Sequence, residues 1–126
     1  MNYTPKDFLV WGELPVSNLD KAIAFYAEVT GAELHLDESG PNPMAVFKPA
    51  EVEIGVALHL YPGKPAKGGE GPTLHLAAQG KIEDTMMRVV RAGGKVLSDP
   101  ISIPAGRFIY ATDPDGNSVG FFEGQK

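Results

Sequence analysis

Apolar positions along this chain recur first with a period of two, then with a helical period, and the same succession occurs twice. Residues 8–16 are apolar apart from Gly12 and Glu13, a pattern that predicts a strand. Pro15 predicts that this strand ends there or lies at a sheet edge. Ser17-Asn18-Leu19-Asp20 reads as a helix start of the capping-box type. Leu19, Ala22, Ile23, Tyr26 and Val29 then fall at helical spacing, Phe25 widens the stripe, and Gly31 is placed to close the helix. Residues 32–37, 44–48 and 53–61 read as three further strands. About 62 residues after Trp11 the order restarts at Thr73. Residues 73–78 are strand-like, and Ile82, Met86, Val89 and Val90 predict one helical face. Gly93 closes that helix, and residues 95–101, 106–112 and 119–123 complete the set. Each half is therefore predicted to be βαβββ.

Punctuation divides the halves. The stretch 62–72, Pro-Gly-Lys-Pro-Ala-Lys-Gly-Gly-Glu-Gly-Pro, is the clearest linker. It separates a first module of about 8–61 from a second of about 73–123, and 126 residues suit one domain. Asp113-Pro114-Asp115-Gly116-Asn117 is a strong turn signal.

Composition narrows the function classes. The chain is 43% hydrophobic and 21% charged, enough to build a core. A formal net charge of −5, with no Lys/Arg cluster, argues against nucleic acid as a partner. The absence of cysteine excludes disulfides, thiolate metal sites and cysteine nucleophiles. No apolar run approaches the ~18 residues of a membrane span. The first residues do not pair a basic stretch with an apolar one. A cytoplasmic protein with no membrane partner is the expectation.

The run Leu14-Pro15-Val16-Ser17-Asn18-Leu19-Asp20-Lys21-Ala22-Ile23-Ala24-Phe25-Tyr26, with Gly31, Gly106-Arg107-Phe108 and the 113–117 turn, resembles the vicinal oxygen chelate superfamily. That superfamily includes glyoxalases, fosfomycin- and bleomycin-resistance proteins and extradiol dioxygenases. The similarity covers nearly the whole chain, and the nearest subgroup is the glyoxalase-related proteins of unassigned substrate. The resemblance implies an α+β fold in which two βαβββ modules curl their mixed sheets into an open, barrel-like cleft. It also implies a homodimer, and, in metal-dependent members, a divalent ion held by four strand positions. Such an ion chelates two adjacent substrate oxygens and acts as a Lewis acid.

Counting from the matched residues puts those four positions at Trp11, Gly55, Thr73 and Gly120. Tryptophan and glycine supply no ligand atom, and threonine alone is a poor anchor. The expectation is therefore no cofactor, and a cleft for a small-molecule ligand lined by Trp11, Thr73, Gly55, Gly120 and Phe122. Glu13 and His75 lie two residues beyond Trp11 and Thr73, on the same strand faces. The repeat makes them an equivalent pair across one cleft, the candidate acid/base residues and the start of any metal site. His59 and Glu123 join them only if the last strands shift by about a residue. Phe47 and Tyr110 are further candidates for the lining, His35 is expected to face outward, and Arg107 is expected to be solvated.

Two functions follow. One is a lyase- or isomerase-type reaction on a small oxygenated molecule, with Glu13 as base and His75 opposite. The other is metal-free binding or sequestration of a flat, drug-like or aromatic ligand against Trp11 and Phe122, with Gly55 and Gly120 leaving room.

Overall fold

A computed structural model of the chain describes residues 2–4, 11–39, 42–48, 58–65 and 67–124. Its first half contains β1 (Glu13–Val16), α1 (Leu19–Thr30), β2 (Leu34–Asp37), β3 (Met44–Phe47) and β4 (His59–Pro62). Its second half contains β5 (Leu74–Ala77), α2 (Ile82–Arg91), β6 (Lys95–Val96), β7 (Ile101–Ile103), β8 (Gly106–Thr112) and β9 (Ser118–Gly124). The strands form two mixed sheets, ordered β1-β4-β3-β2 and β5-β9-β8-β6, with β7 also paired to β8. Both are open. Among the described residues β1 and β5 are edge strands, each parallel to one neighbour. Pro15 is tolerated within β1 because an edge strand need not donate on both sides.

Local chemistry explains the helix boundaries and amends two expectations. Asn18, not Ser17, caps α1: its side chain accepts from the amide of Lys21 at 3.0 Å. Ser17 instead binds Asp115 through both its amide and its hydroxyl. Gly31 closes α1 at φ 76° and donates to the Ala27 carbonyl. α2 has no capping side chain of its own, since Lys81 stands at its N-cap. The Glu123 carboxylate, arriving from β9, accepts from the Ile82 amide and supplies the missing cap. The second module carries one strand more than expected. Pro100 interrupts the predicted strand over 95–101, leaving β6 and β7 as separate short pairings with β8.

The core is one cluster shared by both halves. Leu14, Val16, Phe25, Tyr26, Val29 and Leu60 from the first meet Ile82, Val89, Ile109, Val119 and Phe121 from the second. α1 lies on β3 and β4, α2 on β6, β8 and β9, and the helices touch. α2 buries Ile82, Thr85 and Val89. Val90, expected on that face, is 63% exposed with Met87 beside it at 66%.

Polar bonds lock the modules together around the 113–117 turn. Buried Tyr26 donates to Asp113 Oδ2 at 2.7 Å, and burial beside that carboxylate pushes its phenol far above the ordinary range. Asn117 donates to the Pro15 carbonyl at 2.8 Å and to Asp113 at 2.9 Å. The linker docks here too, with the Gly69 amide donating to the Gly116 carbonyl at 2.7 Å. A turn from the second module thus clamps the end of β1 and the side of α1.

Candidate functional site in the groove between the modules

Alternation along β1 sends Leu14 and Val16 into the core and Glu13 and Pro15 to the opposite face. Parallel pairing puts Glu13 directly across from His59 on β4. The two side chains meet, with His59 Nε2 3.4 Å from Glu13 Oε1. His59 is buried and Glu13 half exposed, so the carboxylate sits at the surface on a ring held beneath it. His59 Nδ1 is the one buried side-chain nitrogen or oxygen among the described residues with no hydrogen-bond partner. Such an atom costs about 1–3 kcal/mol, a cost more often retained at functional sites than elsewhere.

Beside this pair runs a groove of about 330 Å³. Trp11, Glu13 and Pro15 form one wall, while Glu70 of the linker and Leu74 and Ser118 of the second module form the other. Its volume lies at the low end of the range for small-molecule sites. Trp11 is 49% exposed, which leaves much of its indole available to a ligand.

His75 belongs to a different cluster. Its register partner on β9 is Gly120, and its ring lies against that glycine. Phe108 and Tyr110 flank it edge-on, at centroid distances of 5.3 and 5.5 Å. Gly120 therefore holds no open space for a ligand, because the His75 imidazole fills it. The structure pairs Glu13 with His59 rather than with His75.

The parallel registers also correct the count across the repeat. Glu13 faces His59 as His75 faces Gly120, so the first-module counterpart of Gly120 is His59. Gly55, the expected counterpart, lies outside the described residues. Thr73 is half-buried and its hydroxyl pairs with Ser118. Phe122 is half-buried and opposite Phe108, on the face that carries Gly120. Tyr110 shares that face, whereas Phe47 packs against Tyr26 in the core. His35 faces outward and meets Glu33.

Two charged residues considered for the site are structural. Arg107 is not free in solvent: it grips Glu83 through two bonds of 2.7 and 2.9 Å and reaches Glu123 at 2.8 Å. Those bonds hold the Glu83 carboxyl down to about 2, and the Ile82 amide with Arg107 lowers that of Glu123. Glu123 is thereby committed to the start of α2.

The same geometry answers whether a divalent ion fits. Trp11 and Gly120 offer no donor, and the Thr73 hydroxyl is engaged. Glu13 and His59 give two, and no group of three His, Asp or Glu side chains suited to a metal occurs among the described residues. The described residues do not fit the ion that the resemblance implies.

The sequence model of the Glyoxalase/Bleomycin resistance protein/Dioxygenase superfamily matches residues 8–121. The chain belongs to that superfamily. It is 30% identical over 114 residues to CFP32 of Mycobacterium bovis and of Mycobacterium tuberculosis, named for a glyoxylase. The match covers 86% of this chain and 41% of theirs, so the chain spans less than half of these relatives. Solved structures share the superfamily fold at lower identity. The fosfomycin resistance protein FosX of Listeria monocytogenes aligns with TM-score 0.68 at 19% identity, over 94% of each chain. TnmS3, an antibiotic binding protein from Streptomyces sp. CB03234, aligns with TM-score 0.63 at 24% identity, over 98% of this chain and all of its own. Among the described residues no helix is long and apolar enough to cross a membrane.

Proposed function

We propose that this glyoxalase-superfamily chain binds and sequesters a small, flat, largely apolar molecule in the groove between its modules. The observation that carries the reading is the groove itself, with an exposed indole and apolar walls but no set of metal donors among the described residues. Trp11 offers a stacking face, Pro15 and Leu74 close around the ligand, and Glu13 supplies a polar end. TnmS3 is an antibiotic binding protein on the same fold, which makes a binding role compatible with this architecture. The single-domain organisation, a homodimer and a cytoplasmic location belong to the same proposal, and light scattering on the purified chain tests the dimer.

Thermal-shift screening of chelator-treated protein tests the binding. A ligand at a hundred times its Kd adds about 2.7 kcal/mol, or roughly 10 °C for a chain of this size. Stabilisation by planar aromatic compounds, unchanged by Ni, Zn, Mn or Fe salts, supports the reading. Stabilisation by the metals alone refutes it.

A second reading rests on the Glu13–His59 pair. A surface carboxylate held by a buried imidazole is the arrangement a general base needs for a lyase- or isomerase-type proton transfer. Glu13→Gln should then abolish any turnover found, and His59→Asn should lower it. Turnover that survives Glu13→Gln rules this reading out.

A further inference from the structure

The charged side chains of the groove all have one sign. Glu13 stands on one wall and Glu70 on the other, and no Lys, Arg or His is among the described residues lining the space between. The third polarisable element is the Trp11 indole, whose π-face favours a cation over a neutral ring or an anion. His59, behind Glu13, meets the carboxylate through Oε1. That contact of 3.4 Å sets the carboxylate beside the groove, and Oε2 has no hydrogen-bond partner among the described residues.

From this charge pattern we infer that the ligand is a planar aromatic cation, its positive charge placed between Glu13 and Glu70 and its ring against Trp11. The inference rests on the binding role proposed above and specifies the ligand class. A cation gains from the indole face and from both carboxylates. An anion meets two like charges, and a neutral ring gains only stacking and desolvation. Charge complementarity of this kind selects among ligands of identical shape. The backbone leading into Glu70 is held in position by two bonds. Its amide donates to the Lys67 carbonyl at 2.8 Å, and neighbouring Gly69 is bonded to the 113–117 turn.

Three probes sharing one ring system separate charge from shape: 10-methylacridinium, neutral acridine at pH 8, and acridine-9-carboxylate. Each is titrated calorimetrically into the full chain in chelator at low salt. The expected order is cation, then neutral ring, then anion, with the cation bound about five- to tenfold more tightly than acridine. Glu13→Gln and Glu70→Gln should each narrow that gap, chiefly by weakening the binding of 10-methylacridinium. Rising salt should weaken only the cation. Equal affinity for all three probes, or a gap untouched by both variants, overturns the inference while the binding role stands. Failure of every probe to bind overturns both. The two variants lie at the surface, and unchanged circular dichroism confirms that each is folded.

Discussion

Alanine at position 120 would place its Cβ 2.1 Å from Nδ1 and 2.4 Å from Cε1 of His75, well inside contact distance. One of the two must move, and the exposed ring on β5 is freer than the strand beneath it. Moving it forfeits the edge-on contacts with Phe108 and Tyr110, each worth about 0.5–1.5 kcal/mol. Against this loss, alanine is favoured over glycine in a strand by roughly 0.5–1 kcal/mol. Gly120 is not among the glycines with positive φ, so its backbone accepts alanine without strain. Gly120→Ala should therefore destabilise by about 1–2 kcal/mol in the native background. In a His75→Ala background the obstruction is gone, and the same change should stabilise by about 0.5–1 kcal/mol. Urea unfolding of the four proteins, followed by far-ultraviolet circular dichroism, measures the cycle. A reversal of sign between the backgrounds is expected. An equal effect of Gly120→Ala in both would refute the idea that the imidazole occupies the place of a side chain.

Three further outcomes follow from the clamp and from the ion pairs. Asn117→Ala strands the Pro15 carbonyl and one bond to Asp113, and should cost about 2–3 kcal/mol in urea unfolding. Tyr26→Phe removes only the hydroxyl that Asp113 accepts from, and should cost about 1–2 kcal/mol with no loss of ring packing. Glu83 and Glu123 have depressed folded pKa values, so their pairing stabilises above the ordinary carboxyl value of 4.5 and is lost as pH falls toward 2. Urea midpoints should decline across that window, and Arg107→Ala should flatten the decline; an unchanged pH profile in Arg107→Ala would count against the pairing.

The architecture was legible because it is written in periodicities and turn signals that need no long-range information. The helical stripe from Leu19 to Val29, the closing Gly31 and the 113–117 turn all appear where the sequence places them. Legibility failed where a neighbour from the other half decided the outcome. Ser17 reads as a local cap, but its partner is Asp115, 98 residues away. Lys81 is a poor helix start in sequence, and Glu123 from β9 repairs it. Arg107 looks solvated until β8 brings it between Glu83 and Glu123.

For the candidate site, the repeat set Glu13 and His75 at equivalent positions but did not show which side chains lie beside them. An internal repeat relates equivalent positions, whereas contact depends on strand register. Parallel pairing of β1 with β4 sets His59 beside Glu13, and parallel pairing of β5 with β9 sets Gly120 beneath His75. His59 carried a faint signal, a lone imidazole in the apolar run Leu58-His59-Leu60. Nothing in that run identifies which carboxylate it meets.

Trp11 is the only tryptophan in the chain, so its indole N–H gives a single resonance that reports on the groove. Titrating 10-methylacridinium into chelator-treated protein and following that resonance tests ligand binding between the modules directly. A saturable shift of the indole signal in the absence of metal is the predicted result. An indole signal that stays fixed while the probe binds elsewhere, or that moves only after a divalent metal is added, would contradict it.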